Sequence, residues 1–81
     1  MLDKLSASSK RVVGTRRLMK AIAAGEVQEA YLAMDADLFI FRQVNEACKN
    51  AGVPVNQVST MKALGEACHV QVPTASAGIL K

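Results

Sequence analysis

The sequence predicts an α/β sandwich: a small sheet with helices on both faces. Two observations carry this. Strand-like and helix-like stretches alternate along the whole chain, the pattern of layered α/β proteins. The chain has 81 residues, 51% of them apolar, which is enough for one core and too apolar for intrinsic disorder. A sheet this small is expected to include some antiparallel pairing. The alternation leaves strand order open.

The elements follow in order. A short helix is expected around Asp3–Leu5. Lys10 to Val13 reads as a short strand ending in two β-branched residues. Gly14 permits a tight turn, and the Thr15 hydroxyl is expected to cap the helix that follows. That helix runs to Ala24 and stops at Gly25. Val27 to Met34 contains the strand Ala30–Met34, an almost continuous apolar run of the kind buried on both faces. Asp35 and Asp37 are two candidate N-caps. A helix from about Leu38 to Ala51 places Leu38, Phe41, Val44, Cys48 and Ala51 on one stripe and ends at Gly52. Val53 to Val58 is the next strand. Ser59 or Thr60 caps a helix from Met61 to about Cys68, His69 to Pro73 is a loop, and Thr74 to Leu80 closes as a strand.

Charge is distributed unevenly. The net charge is +3, and six of the ten basic residues (Lys4, Lys10, Arg11, Arg16, Arg17 and Lys20) fall in the first twenty positions. At about 100° per residue, Arg16, Arg17 and Lys20 share one arc of the first long helix, while Leu18, Met19 and Ile22 share the opposite arc. Three cations thus stand beside the positive end of a helix dipole, a surface suited to a polyanion. A solvated basic face on an ordinary amphipathic helix is the simpler alternative.

Other chemistry is sparse. The aromatics are Tyr31, Phe39 and Phe41, 4% of the chain, too few to stack successive bases of a single strand. No phosphate-cradling glycine motif occurs. Cys68 and His69 are neighbours that would diverge by about 100° on a helix, so they make a poor nucleophile–base pair. Cys48, Cys68 and His69 lack the spacing of a zinc site. Both cysteines are expected to be reduced and buried. Asp35 and Asp37 could bind a metal, but an N-cap accounts for at least one of them more simply. Lys62 reads as a solvated helix residue. The apolar loop Val70-Gln71-Val72-Pro73 either leads into the last strand or forms an exposed edge for a ligand such as splayed bases. No apolar run reaches membrane-spanning length and no signal peptide opens the chain, so a cytoplasmic protein is expected.

Three segments together, Val13-Gly14-Thr15-Arg16-Arg17-x-x-Lys20-Ala21, Met34-Asp35-Ala36-Asp37 and Met61-Lys62-Ala63-Leu64-Gly65-Glu66-Ala67-Cys68 with Val70-x-Val72, resemble a known family. It is the kink-turn-binding ribosomal protein family, which includes the large-subunit proteins L-seven-Ae and L-thirty-e. The length is closest to its short bacterial, YbxF-type members. The resemblance covers nearly the whole chain. It implies a three-layer α/β/α sandwich with a mixed sheet, a single domain over residues 1–81, and binding to kink-turn RNA. A kink-turn is a duplex bent at a short bulge next to tandem sheared G·A pairs. Carried onto this chain, Gly14, Thr15, Arg16, Arg17 and Lys20 would meet the sheared pairs, Val70, Gln71 and Val72 the bulged bases, and Asp37 would stand near the RNA.

Two departures accompany the resemblance. Archaeal members carry Asn-Glu at the positions of Arg16 and Arg17. Glu accepts hydrogen bonds from guanine, whereas Arg donates to its O6 and N7. His69 stands where a glycine is common before the loop. The expected function is a non-enzymatic, monomeric RNA-binding protein without cofactor, ribosomal or bound to another kink-turn RNA. The alternative is a module that binds an acidic protein partner.

Overall fold

In the computed structural model, which describes residues 3–81, four helices and four strands alternate along the chain. They are α1 (Asp3–Ala7), β1 (Arg11–Val13), α2 (Thr15–Ala23), β2 (Val27–Ala33), α3 (Leu38–Ala51), β3 (Val55–Val58), α4 (Met61–Ala67) and β4 (Ser76–Leu80). The strands form one mixed sheet in the order β1-β4-β2-β3. β4 is antiparallel to both β1 and β2, and β2 is parallel to β3.

Two cores lie on opposite faces of the sheet. On one face α1 and α4 pack Leu5, Leu64, Ala67 and Cys68 against Tyr31, Ala33, Val58, Ala77 and Ile79. On the other, α2 and α3 pack Leu18, Ile22, Val44 and Cys48 against Val27, Ala30 and Leu32. The architecture is therefore the expected three-layer sandwich. The apolar run of β2 is explained by this: Ala30 and Leu32 face one layer, Tyr31 and Ala33 the other, and all four are buried. Val27 joins the layer of Ala30 although the two are an odd number of positions, three, apart. An irregularity between Val27 and Glu29 shifts the register by one, which turns Val27 to that face.

Several boundaries differ from the sequence expectation, each for a tertiary reason. Val53 is not in β3, because its N–H is donated to the Cys48 carbonyl at the end of α3. Thr74 is not in β4, because its N–H is held by the Met61 carbonyl of α4. β2 starts earlier, at Val27, through its pairing with Leu80. Leu38 and Ala51, at the two ends of this 14-residue helix, are exposed and do not belong to the buried stripe of α3, whose buried residues are Val44 and Cys48. The expected stops hold: Gly25 and Gly52 take φ of 71° and 70° just past the helices they end.

The two cysteines are free and buried, and they sit in different layers, so the sheet lies between them. Burial pushes both thiols up from their ordinary value. We expect neither to react with a thiol reagent in the native protein and both to react once denaturant unfolds the chain. A native-state reaction would show that one of these layers opens.

Near the start of β2, the Tyr31 hydroxyl donates to Glu29, which also pairs with Lys4 of α1 and accepts from Asn56. The Lys4 contact holds the Glu29 carboxyl below its ordinary value, and burial with the Glu29 charge pushes Tyr31 up to about 12. The unfolded chain releases the phenolic proton near 10.0, but the folded chain holds it to about 12. This stabilisation is complete below pH 10 and is lost as pH rises towards 12. Denaturant titrations across that interval should show a flatter decline for Tyr31→Phe than for the unmutated protein.

Candidate nucleic-acid interface

Strand direction gathers the candidate residues at one end of the sheet. β1, β2 and β3 all run opposite to β4, so all three finish at the end where β4 begins. α2, α3 and α4 each follow one of these three strands. Their N-termini, with their partial positive charges, therefore share that end, together with the loop that leads into β4. In open α/β sheets the crevice beyond the carboxyl ends of the strands is the usual ligand site.

α2 begins at this end on Gly14, whose φ of 99° is a left-handed value that a glycine adopts without strain. The Gly14 N–H donates to the Ser76 carbonyl at 3.0 Å, which ties the turn to the first residue of β4. Thr15 does not cap the helix as expected. Its hydroxyl instead pairs with the fully buried hydroxyl of Ser76 at 2.8 Å, which would otherwise lack a partner. No side chain caps α2, so its first N–H groups remain open to an external acceptor. Leu18 and Ile22 are buried and Met19 packs beside them, while Arg16, Arg17 and Lys20 are exposed on the other side. Among the described residues the one ion pair joins Lys4 to Glu29, and Arg11 is engaged by the Ser8 carbonyl. The three cations of α2 have no carboxylate partner there.

The starts of α3 and α4 are capped. Asp37 accepts from the Phe39 N–H at 2.8 Å, and Thr60 from the Ala63 N–H at 3.0 Å. Asp35 accepts from the Met61 N–H at 2.7 Å and so joins the β2–α3 turn to α4. Asp37 uses one carboxylate oxygen in this bond and is exposed, which leaves the other free to accept.

The loop from His69 to Ala75 is held on α4. His69 keeps the left-handed backbone that suits glycine, with φ of 60°, and its Nε2 lies 3.0 Å from the Ser6 carbonyl of α1. The Val70 N–H donates to the Gly65 carbonyl, and the Thr74 N–H to that of Met61. Gly65 is required for this path, because a Cβ there would run into the Val72 carbonyl oxygen. The two valines therefore divide. Val70 packs on the core, whereas Val72 is 65% exposed and Gln71 faces solvent beside it. Lys62, Glu66, Val70, Gln71, Val72 and Pro73 line an open groove between α4 and the loop. Lys62 thus faces the candidate surface, although its sequence context reads only as a solvated helix. The sequence likewise gave no sign that Met34, Leu38 and Phe39, at the β2–α3 turn, would be exposed here.

Replacing Gly65 with Ala should lift the loop off α4. We expect a stability loss of roughly 1–3 kcal/mol, the range for overpacking. The Val70 and Thr74 amides should also lose protection from hydrogen exchange, and an unchanged exchange pattern would show that the loop has room to spare.

The whole chain, residues 1–81, matches the family model described as the ribosomal protein L7Ae/L30e/S12e/Gadd45 family. Among curated proteins, the RNA-binding protein YbxF of Geobacillus stearothermophilus is 42% identical over 79 residues, covering 98% of this chain and 96% of the relative. An RNA-binding protein of Caldanaerobacter subterraneus is 37% identical over 68 residues, covering 84% and 83%. Among solved structures, a Giardia lamblia 15.5 kD RNA binding protein superposes with a TM-score of 0.87 at 31% identity, over 99% of this chain and 68% of that one. A Bacillus halodurans protein of unknown function shares the fold, with a TM-score of 0.85 at 21% identity, over 99% and 80%. With a family model matched end to end and a relative 42% identical over nearly its full length, this chain belongs to the ribosomal protein L7Ae/L30e/S12e/Gadd45 family.

Proposed function

We propose that this protein is a non-enzymatic RNA-binding domain over residues 1–81 that recognises kink-turn RNA as a monomer. The observation that carries the reading is the uncapped start of α2, with Arg16 and Arg17 in its first turn and Lys20 further along, none paired with a carboxylate among the described residues, on the same sheet end as an exposed apolar loop. Relatives and a structural neighbour that bear the name RNA-binding protein support it.

The chemistry suits a bent duplex. A-form RNA hides its base edges in a deep, narrow major groove, and a kink opens that groove locally. The start of α2 can then approach, with Gly14 and Thr15 bringing the backbone close. Arg16, Arg17 and Lys20 neutralise phosphates or donate to guanine O6 and N7. The free oxygen of Asp37 can accept from guanine N–H groups. Gln71 and Val72 cover unpaired bases, while Val70 supports the loop from beneath. The natural target is a ribosomal RNA or another structured RNA, and the setting is cytoplasmic. No helix among the described residues is long and apolar enough to cross a membrane.

The test is a set of binding titrations at several salt concentrations. One RNA carries an intact kink-turn and the other has Watson–Crick pairs in place of G·A. Alanine at Arg16, Arg17 or Lys20 should lower the salt slope by roughly 0.7–0.9 where the side chain meets phosphate. Where it reads a guanine, the loss should be about 1–3 kcal/mol with weaker discrimination. Val72→Ser should weaken binding and leave the salt slope unchanged. Equal affinity of the unmutated protein for the two RNAs would sink the kink-turn reading, and nuclease-resistant capture of an acidic protein would favour the rival.

A further inference from the structure

We infer that Phe39 is the stacking platform for one unpaired base of the bound RNA, an inference that rests on the RNA-binding reading above. Of the three aromatic rings, Tyr31 is buried and Phe41 half-buried in the core, whereas Phe39 is 74% exposed. It lies in the first turn of α3, at the sheet end where α2 begins and the apolar loop leads into β4. Helical side chains lean towards the N-terminus of their helix, which directs this ring to the ligand end. Asp37 holds the Phe39 N–H, so the turn that carries the ring is fixed before a ligand arrives. Leu38 and Met34, 60% and 51% exposed, extend the apolar surface around it.

The chemistry of the patch selects the occupant. Three exposed side chains with one ring are far short of the 20–30 residues per side that a stable protein interface engages. A single base needs only one ring face. The patch also shares its end of the sheet with the start of α2, where Arg16 and Arg17 are exposed. The scarcity of aromatics, which argues against stacking along a strand, is compatible with one stacked base.

The experiment uses the full chain and a kink-turn RNA carrying 2-aminopurine at each unpaired position in turn. Because the side chain is exposed, Phe39→Ala should keep the circular dichroism spectrum and melting curve of the unmutated protein. We expect the unmutated protein to change the fluorescence at one position and Phe39→Ala to abolish that change. Affinity should fall between about fivefold and a hundredfold in Phe39→Ala and be kept in Phe39→Trp, with the salt slope unaltered. Tight binding of the kink-turn with equal affinity and fluorescence in Phe39→Ala overturns the stacking role and leaves the kink-turn reading standing. Equal binding of kinked and Watson–Crick RNA by the unmutated protein overturns that reading and the stacking with it. Self-association that depends on Phe39, with RNA affinity independent of it, overturns the stacking role in favour of a second copy.

Discussion

The two hydrogen bonds that Ser76 makes to Gly14 and Thr15 tie the first residue of β4 to the first turn of α2, and the candidate ligand end of the molecule depends on them. A buried hydroxyl left unpaired costs about 1–3 kcal/mol, so Ser76 needs the Thr15 oxygen. With Thr15 turned to Ser76 and Gly14, which has no side chain, at the N-cap, α2 is left without a side-chain cap. An uncapped start forgoes about 1 kcal/mol of helix stability. The same N–H groups are then free for an anionic ligand, which recovers part of that energy on binding. The fold thus keeps one helix end chemically unfinished while it finishes the other two with Asp37 and Thr60.

The acids at this end require a physical account, since carboxylates repel a polyanion. Asp35 and Asp37 are both engaged by backbone N–H groups at helix starts. Their charge is offset by helix dipoles and projects weakly. The cations divide differently. Lys4 and Arg11 hold α1 against the rest of the molecule, whereas Arg16, Arg17 and Lys20 have no carboxylate partner among the described residues. Of the basic residues crowded into the first twenty positions, only part is therefore available to a ligand. The overall net charge of +3 understates the asymmetry at the start of α2.

Features set by local geometry were legible in the sequence. The cationic and apolar arcs of α2, the caps at Asp37 and Thr60, and the stops at Gly25 and Gly52 depend only on neighbours along the chain. Features set by distant partners were not. Strand order depends on which edges meet. Val53 and Thr74 leave their expected strands because α3 and α4 claim their N–H groups. Thr15 reads as a cap until a serine 61 residues away is placed beside it. Leu38 fits a buried stripe by spacing, but spacing along one helix does not reveal what packs against it, and Leu38 is exposed. The different roles of Val70 and Val72 follow from a backbone contact at Gly65 that no local pattern encodes.

The close seat of the loop on Gly65 also bears on how binding proceeds. A loop pinned by the Val70 and Thr74 amides and by the carbonyl of Val72 has surrendered its conformational entropy during folding. Little of it remains to be lost when a ligand arrives, so affinity is not reduced by a late ordering step. The protein side behaves as a rigid die, and shape adjustment falls to the partner. Under the kink-turn reading proposed above, association would be governed by how often the RNA visits the matching bend, a conformational-selection regime in which the flexibility of the nucleic acid sets the pace.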